Sequence, residues 1–455
     1  MMNSIQNAVI RIILNPLAHK MNRFTKKAKD VLFIACMVII IIIQFMYSSG
    51  LLTCRYLYIY AAGCVLVGGM ILAGLEKENL KCVNFNKALL LSWLGIGVCA
   101  LISGVLNSVD YLTDAVLYLV VFPIFFIVWC NAAFSRLAKL LITSVKISFV
   151  VCTLILFVRY PIGAFHYAGF FLNPNGAALY FSAAFVCMMQ SVFIKDTTVF
   201  QKVSNYCLLG LAFALVFYTN SRGGLLSVIC SYSFTTILYV YIHRKNLKCT
   251  LMKAVLLPIV AISLFICITP HLLNAGNRIV EQVTQNSVEK KEPISSVSLN
   301  DQLGYLEEKF GKNDRNANSY TAGRLELWRI YGNELRFFGN PSDKILYDAS
   351  GKVEGRSSHL TVLQIAYQFG IVAGILFLTF NVVAGIKSIK VATYKNASET
   401  DLFPFAIAIA FGVFSLVEAI SIPFYTLLVL LYFISQTSII SINSENIEQN
   451  SYTIE

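Results

Sequence analysis

Charged side chains are scarce in this sequence of 455 residues. Asp, Glu, Lys and Arg together make up 13% of it, about half the share of an ordinary soluble domain. Length alone would suggest about three domains, but so little charge cannot cover three globular surfaces. A secreted enzyme, a cytosolic enzyme and a nucleic-acid-binding domain are therefore excluded as readings of the whole chain. Signature motifs of soluble enzymes are missing too. There is no Walker loop, no G-x-G-x-x-G, no G-x-S-x-G and no H-E-x-x-H. No Asp-x-Asp pair is available to hold a metal for a nucleotide sugar. Cysteine is present twelve times, but without C-x-x-C and with none between residues 270 and 358. A disulfide framework or a structural zinc site is not expected from that distribution, and free cysteine here is a small apolar filler.

Long apolar runs fill the space that charge leaves. Hydrophobic residues reach 57%, against about 45–50% in soluble domains, and stretches such as Val31–Tyr47 are nearly all aliphatic or aromatic. A helix needs about 20 apolar residues to cross a bilayer. Runs of that kind occur near 31–48, 56–75, 88–106, 112–131, 138–158, 176–194, 203–219, 223–242, 251–269, 360–385, 402–417 and 421–440. The expected fold is an all-α polytopic membrane protein of about twelve transmembrane helices.

The net charge of +12 is a topology signal and implies no nucleic acid. Twenty basic residues lie in the N-terminal segment and in alternate short loops, from Arg11 to Lys395. Three, Arg55, Arg159 and Arg222, lie in the opposite short connections. Such a bias places both termini in the cytoplasm. Ile5, Val9, Ile12, Ile13 and Leu17 recur at helical spacing beside basic residues, so residues 1–30 read as a helical segment lying on the inner leaflet. The first span lacks an A-x-A-like cleavage site and reads as a retained anchor.

Segments follow from these boundaries: helices one to nine over 31–269, an external connection over 270–358, helices ten to twelve over 359–440, and a cytoplasmic tail over 441–455. The connection is long enough to be functional or partly folded. It carries twelve basic and twelve acidic residues and is locally neutral. Leu303, Leu306 and Phe310 share one helical face, and a second helix fits 322–338, stopped by Gly339 and Pro341. Residues 284–300 are polar and rich in Ser, Lys and Glu.

Polar residues at the outer membrane boundary are where chemistry can reside. In the sequence Thr219-Asn220-Ser221-Arg222-Gly223-Gly224, Asn220 and the two glycines predict a tight turn that fixes Arg222 at the interface. A guanidinium there can hold a phosphate with two parallel donors; an arginine reaching lipid headgroups fits the same spacing. Arg324 opens the predicted loop helix, where the helix dipole disfavours a cation, and Trp328 follows one turn later. An ordinary amphipathic surface helix is the competing reading. His359 opens the tenth span and suits general-base work on a sugar hydroxyl, although a lone interfacial histidine needs no function. Asn173, Pro174 and Asn175 read as a turn and cap before span six. Asp114 and Glu418 are carboxylates at the outer ends of spans four and eleven, where acids default to functional hypotheses. Lys146 lies inside span five and is expected to reach back to the cytoplasmic interface.

The order of these motifs is itself informative. T-N-S-R-G-G after a span, then a long external connection with G-R-x-x-x-W, then S-H-x-x-x-L opening another span, resembles the O-antigen polymerase/ligase superfamily of bacterial envelopes. The stretch G-F-F-L-N-P-N over 169–175 resembles the segment that precedes the arginine turn in that family. The likeness covers about 166–380. It implies a GT-C-like, metal-independent glycosyltransferase without a cofactor, working at the outer face of the bacterial cytoplasmic membrane. An undecaprenyl-diphosphate-linked oligosaccharide would be the donor. Arg222 and Arg324 would contact its diphosphate and His359 would act at the acceptor hydroxyl. Trp328 is carried over as support, and Asn173, Asn175 and Glu418 as further substrate-binding candidates. Besides the bilayer, a chain-length regulator and a flippase are the implied partners. The products implied are O-antigen, capsule or exopolysaccharide, made by a polymerase. Two alternatives remain: a ligase passing glycan to a lipid core, protein or wall, and a transporter, against which stand the absence of internal repeats, the scarcity of mid-span charge and the large external loop.

Overall fold

The computed structural model describes residues 2–76, 80–159, 167–169, 171, 173–194, 198–284, 324–347, 353–354, 357–394 and 398–441. The chain is an all-helical, multi-pass membrane protein. Ten helices among the described residues are long and apolar enough to cross a bilayer: Lys26–Ser48, Leu57–Gly74, Lys87–Leu106, Tyr111–Asn131, Phe134–Phe157, Pro174–Phe193, Val199–Tyr218, Arg222–Ile242, Arg244–Gly276 and Ile371–Thr393. The only strand pairing among them is two residues long on each side, Leu346–Tyr347 against Val353–Glu354.

Ten unbroken helices of that length stand against about twelve expected spans, and the difference lies in the interrupted helices at the C-terminal end. The tenth span does not begin at 360. Thr361–Phe369 is a short helix, broken from Ile371–Thr393 by Gly370 at φ +103. A β-carbon at Gly370 would stand 2.0 Å from the Phe337 carbonyl oxygen, so only glycine fits. The run at 402–417 gives a helix of 13 residues, Phe403–Ser415, about 20 Å long against a hydrocarbon core of about 30 Å. The run at 421–440 gives Leu427–Ser435 followed by Thr437–Ile440. Between them the backbone leaves helical form, and that break carries Glu418.

Differences at the other boundaries are local. The ninth helix continues through Pro270 to Thr284, past the boundary expected at 270. The loop helix expected over 322–338 spans Arg324–Asn333. The expected helix around Leu303, Leu306 and Phe310, the polar stretch after Thr284, and Lys77, Lys195, Lys395 and most of the C-terminal tail lie outside the described residues. The N-terminal segment is helical from Met2 to Met21, but its buried face is Gln6, Ile10, Leu14 and Ala18 while Ile5, Ile12 and Ile13 are exposed. Val9 and Leu17 of the expected stripe are partly buried against the core, and Ile5, Ile12 and Ile13 lie on the outer side of the helix.

Helices in a bilayer gain little from apolar contact alone and rely on close approach and interhelical hydrogen bonds. Both devices are present. A β-carbon at Gly210 would meet the Ala261 carbonyl oxygen at 2.5 Å, which brings the Val199–Tyr218 and Leu257–Thr284 helices together. Ser227 and Ser231 donate across to the Ala410 and Ala406 carbonyls at 3.0 and 2.8 Å. At the centre stands the Pro174–Phe193 helix, in which every residue from Ala177 to Phe193 is buried. Trp93 anchors a second layer, its ring packed on Tyr118, Phe122, Phe126, Phe380 and Phe433 and its indole N–H donating to the Tyr118 carbonyl at 2.8 Å. Twelve free cysteines are distributed through the helices and their ends.

Candidate active site

Four helix N-termini meet at one end of the bundle. Asn173 caps the central helix, its Oδ1 accepting from Gly176 N at 2.7 Å with Pro174 in the first turn. Ser221 caps the Arg222–Ile242 helix, its Oγ accepting from Gly224 N at 3.2 Å. The turn before it is made by Asn220 in the left-handed region, φ +55. Gly223 and Gly224, expected in that turn, are already helical. Their role is contact: added β-carbons would lie 2.6 Å from Val417 Cγ2 and 2.7 Å from Ala178 Cβ. The missing side chains let the start of this helix seat against both the central helix and the residue next to Glu418.

That seating produces a hydrogen-bonded chain. Ser221 Oγ donates to Asn175 Oδ1 at 2.9 Å, and Asn175 Nδ2 donates to Glu418 Oε1 at 2.6 Å. Arg324, the first residue of its helix, places a guanidinium nitrogen 3.0 Å from the same Oε1. His359 Nδ1 lies 2.8 Å from Glu418 Oε2. One carboxylate therefore joins residues from four distant stretches of chain. Its side chain is 13% exposed, and those of Arg324 and His359 are 23% exposed, so the group is largely enclosed yet reachable.

The backbone around His359 is unusual. It takes φ +49 and, with Asn220, is one of two non-glycine residues in the left-handed region among those described. Ser358 holds the bend, its N–H donating to Gln364 Oε1 at 3.1 Å and its Oγ to the Leu360 carbonyl at 3.0 Å. Thr361 Oγ1 donates to the Glu418 carbonyl at 2.7 Å and accepts from Ile420 N at 3.0 Å. The histidine and the carboxylate are therefore braced through backbone as well as side chain, and such conformations concentrate at functional sites.

The loop helix is docked by a similar set of contacts. Tyr331 packs edge-on against Tyr367 with ring centroids 4.8 Å apart. Burial, with Tyr331 as a smaller contribution, pushes the Tyr367 phenol up to about 12, so this wedge stays neutral. Gly339, at φ +81, and Asn340 close the far side, Asn340 N donating to the Tyr367 carbonyl at 3.0 Å.

The residues singled out in the sequence divide as follows. Arg324, His359, Asn175 and Glu418 are in direct contact. Asn173 uses its side-chain oxygen as a helix cap. Arg222 is half-buried at the start of its helix, directly after Ser221. Trp328 lies one turn along from Arg324, with its indole nitrogen buried and unpartnered among the described residues. Asp114 is elsewhere, buried and bonded to the Tyr60 hydroxyl. Lys146 does not reach the interface but donates to Asn205 inside the bundle. Ser221 and Thr361, which complete the chain of bonds, were not singled out; nothing in their spacing marks them.

The O-antigen ligase family model matches residues 207–378. The match contains Arg222, Arg324, Trp328 and His359 and supports the likeness of this part of the chain to the O-antigen polymerase/ligase superfamily. Neither the curated proteins nor the solved structures gave a match.

Proposed function

We propose that the chain is a glycosyltransferase that moves a glycan from a lipid-diphosphate donor to a sugar hydroxyl at the Glu418 cluster, on the outer face of the cytoplasmic membrane. The observation that carries this reading is the contact of Arg324 and His359 with opposite oxygens of Glu418.

A carboxylate can only accept, so Nδ1 of His359 carries the proton and Nε2 is left as the basic nitrogen. Nε2 takes the proton of the acceptor hydroxyl, and the freed oxygen bonds to the anomeric carbon of the donor. The bond from that carbon to the diphosphate breaks, and its electron pair stays with the lipid diphosphate. Arg324 and Arg222 meet the charge that develops there. Four helix N-termini add partial positive charge at the same place. Glu418 touches neither reacting bond in this scheme. It positions His359 and Arg324, as a carboxylate behind a catalytic histidine does elsewhere.

Polymerisation is the first reading: a growing chain leaves its lipid diphosphate and joins the next lipid-linked repeat unit. Ligation to a different acceptor is the second, favoured by the description of the matching family, O-antigen ligase. Purified protein incubated with a lipid-linked repeat unit separates them. A ladder of products on a gel is the polymerase outcome, and one discrete transfer to an added second acceptor is the ligase outcome. Replacing Arg222, Arg324 or His359 with Ala should abolish product while leaving protein in the membrane; normal product from all three variants would sink the assignment.

A further inference from the structure

A small cavity at the Glu418 end of the bundle takes no part in the transfer scheme. It measures about 70 Å³ and lies among the end of the Lys26–Ser48 helix, the first turns of the central helix and the segment leading into Leu427–Ser435. Its walls are buried, with the rings of Phe45, Phe171 and Tyr180 prominent among them, and its rim includes the half-buried Ser48, Gly176 and Thr426. The three rings pack on one another with centroids 5.4 to 6.1 Å apart, which fixes the shape of the space. Gly176 follows directly on Asn175, the residue that donates to Glu418, so cavity and cluster share the first turn of one helix.

Two polar atoms in this apolar box have no partner among the described residues. Gln44 is 5% exposed, and its Nε2 donates to the Pro423 carbonyl at 2.9 Å. That bond holds the amide in place and leaves Oε1 buried and unpartnered. Thr426 stands at the N-cap of Leu427–Ser435, where a threonine hydroxyl ordinarily accepts from the helix. Its Oγ1 makes no cap bond and is likewise buried without a partner. Burying such groups unbonded is costly, so the cavity is matched to a guest that offers a donor to Gln44 and an acceptor to Thr426.

Size narrows the guest further. A water-sized group occupies about 10–15 Å³ of such a space, so about five fit. That is enough for a substituent and too little for a sugar ring.

We propose that this cavity receives an acetamido group carried by a substrate sugar. The amide N–H donates to Gln44 Oε1, the amide carbonyl accepts from Thr426 Oγ1, and the methyl lies against Phe45, Phe171 and Tyr180. A plain hydroxyl meets either polar atom but leaves the aromatic walls bare. The inference rests on the glycosyl-transfer reading and narrows it to N-acetylated sugars; no bond is made or broken in the cavity itself.

The test is native mass spectrometry of the full-length protein in detergent with two pairs of probes. One pair is undecaprenyl-diphosphate N-acetylglucosamine and undecaprenyl-diphosphate glucose. The other is free chitotriose and cellotriose, which differ only in acetamido against hydroxyl groups. The acetamido member should be retained about tenfold better, in the lipid-linked pair if the cavity serves the donor and in the free pair if it serves the acceptor. Gln44→Leu should abolish that preference. So should Thr426→Val, which forfeits no side-chain bond of the folded protein and keeps the test intact should Gln44→Leu not fold. Arg324→Ala should weaken both lipid-linked sugars alike. Equal retention within both pairs would overturn the proposal and mark a merely hydrated cavity, as would a preference that survives both Gln44→Leu and Thr426→Val. Failure of the unaltered protein to hold either lipid-linked sugar would instead count against the transfer reading, and this proposal with it.

Discussion

Glu418 makes an unusual demand on its neighbours, because one largely enclosed carboxylate orients an imidazole, a guanidinium and an amide at once. Glu418→Gln keeps the size and removes the charge. The imidazole then loses the acceptor that fixes its tautomer, and turnover should fall by about a hundredfold or more, with the pH–rate profile displaced. A change in activity without displacement of that profile would argue for a purely structural role. Arg324→Lys should also be poorly tolerated, with a loss of about tenfold, because an ammonium cannot present the two parallel donors of a guanidinium to a phosphate; the KM for the lipid donor reads this directly. Arg324 and His359 were legible in the sequence through their motifs. Glu418 was singled out as well, as a substrate-binding candidate, but its contacts were not legible, since it lies 94 residues from Arg324, 59 from His359 and 243 from Asn175. No periodicity links such positions. The turn at Asn220 was legible, but the left-handed backbone of His359 was not, since nothing in the sequence around it marks a turn.

At the scale of elements, glycine decides how closely the site can assemble. Gly224→Val would drive a branched side chain into Ala178, separating the Arg222–Ile242 helix from the central helix. Product formation should fall while the protein still reaches the membrane, as checked by blotting of membrane fractions. Gly370→Ala would combine a disfavoured φ with a collision against the Phe337 carbonyl. It should destabilise the protein by about 1–3 kcal/mol, seen as a lower midpoint for thermal aggregation in detergent. The first nine spans were readable because each is a long apolar run between basic loops. The last three were legible as apolar runs, but their breaks at Gly370, around Glu418 and at Gln436 were not, because hydropathy does not report where a helix is interrupted. Phe403–Ser415 packs against the Arg222–Ile242 and Pro174–Phe193 helices.

For the whole molecule, the charge bias predicts that the Glu418 end faces outward and the turn at Arg244 and Lys245 faces inward. Reporter fusions check this: alkaline phosphatase joined after Asn220 should be active, and the same reporter joined after Lys245 should be inactive. The reverse pattern would place the cluster in the cytoplasm, away from an exported lipid-linked glycan.

The enclosed central helix has a consequence for biogenesis. Ser182, Gln190 and Ser191 are buried along Pro174–Phe193, and part of their shelter comes from Phe403–Ser415 and Leu427–Ser435, made more than two hundred residues later. A nascent chain that has not yet reached those segments presents hydroxyls and amides to acyl chains. Completion of the C-terminal third is therefore the step that seals the assembly, and chains cut short before Phe403 should be captured by membrane proteases.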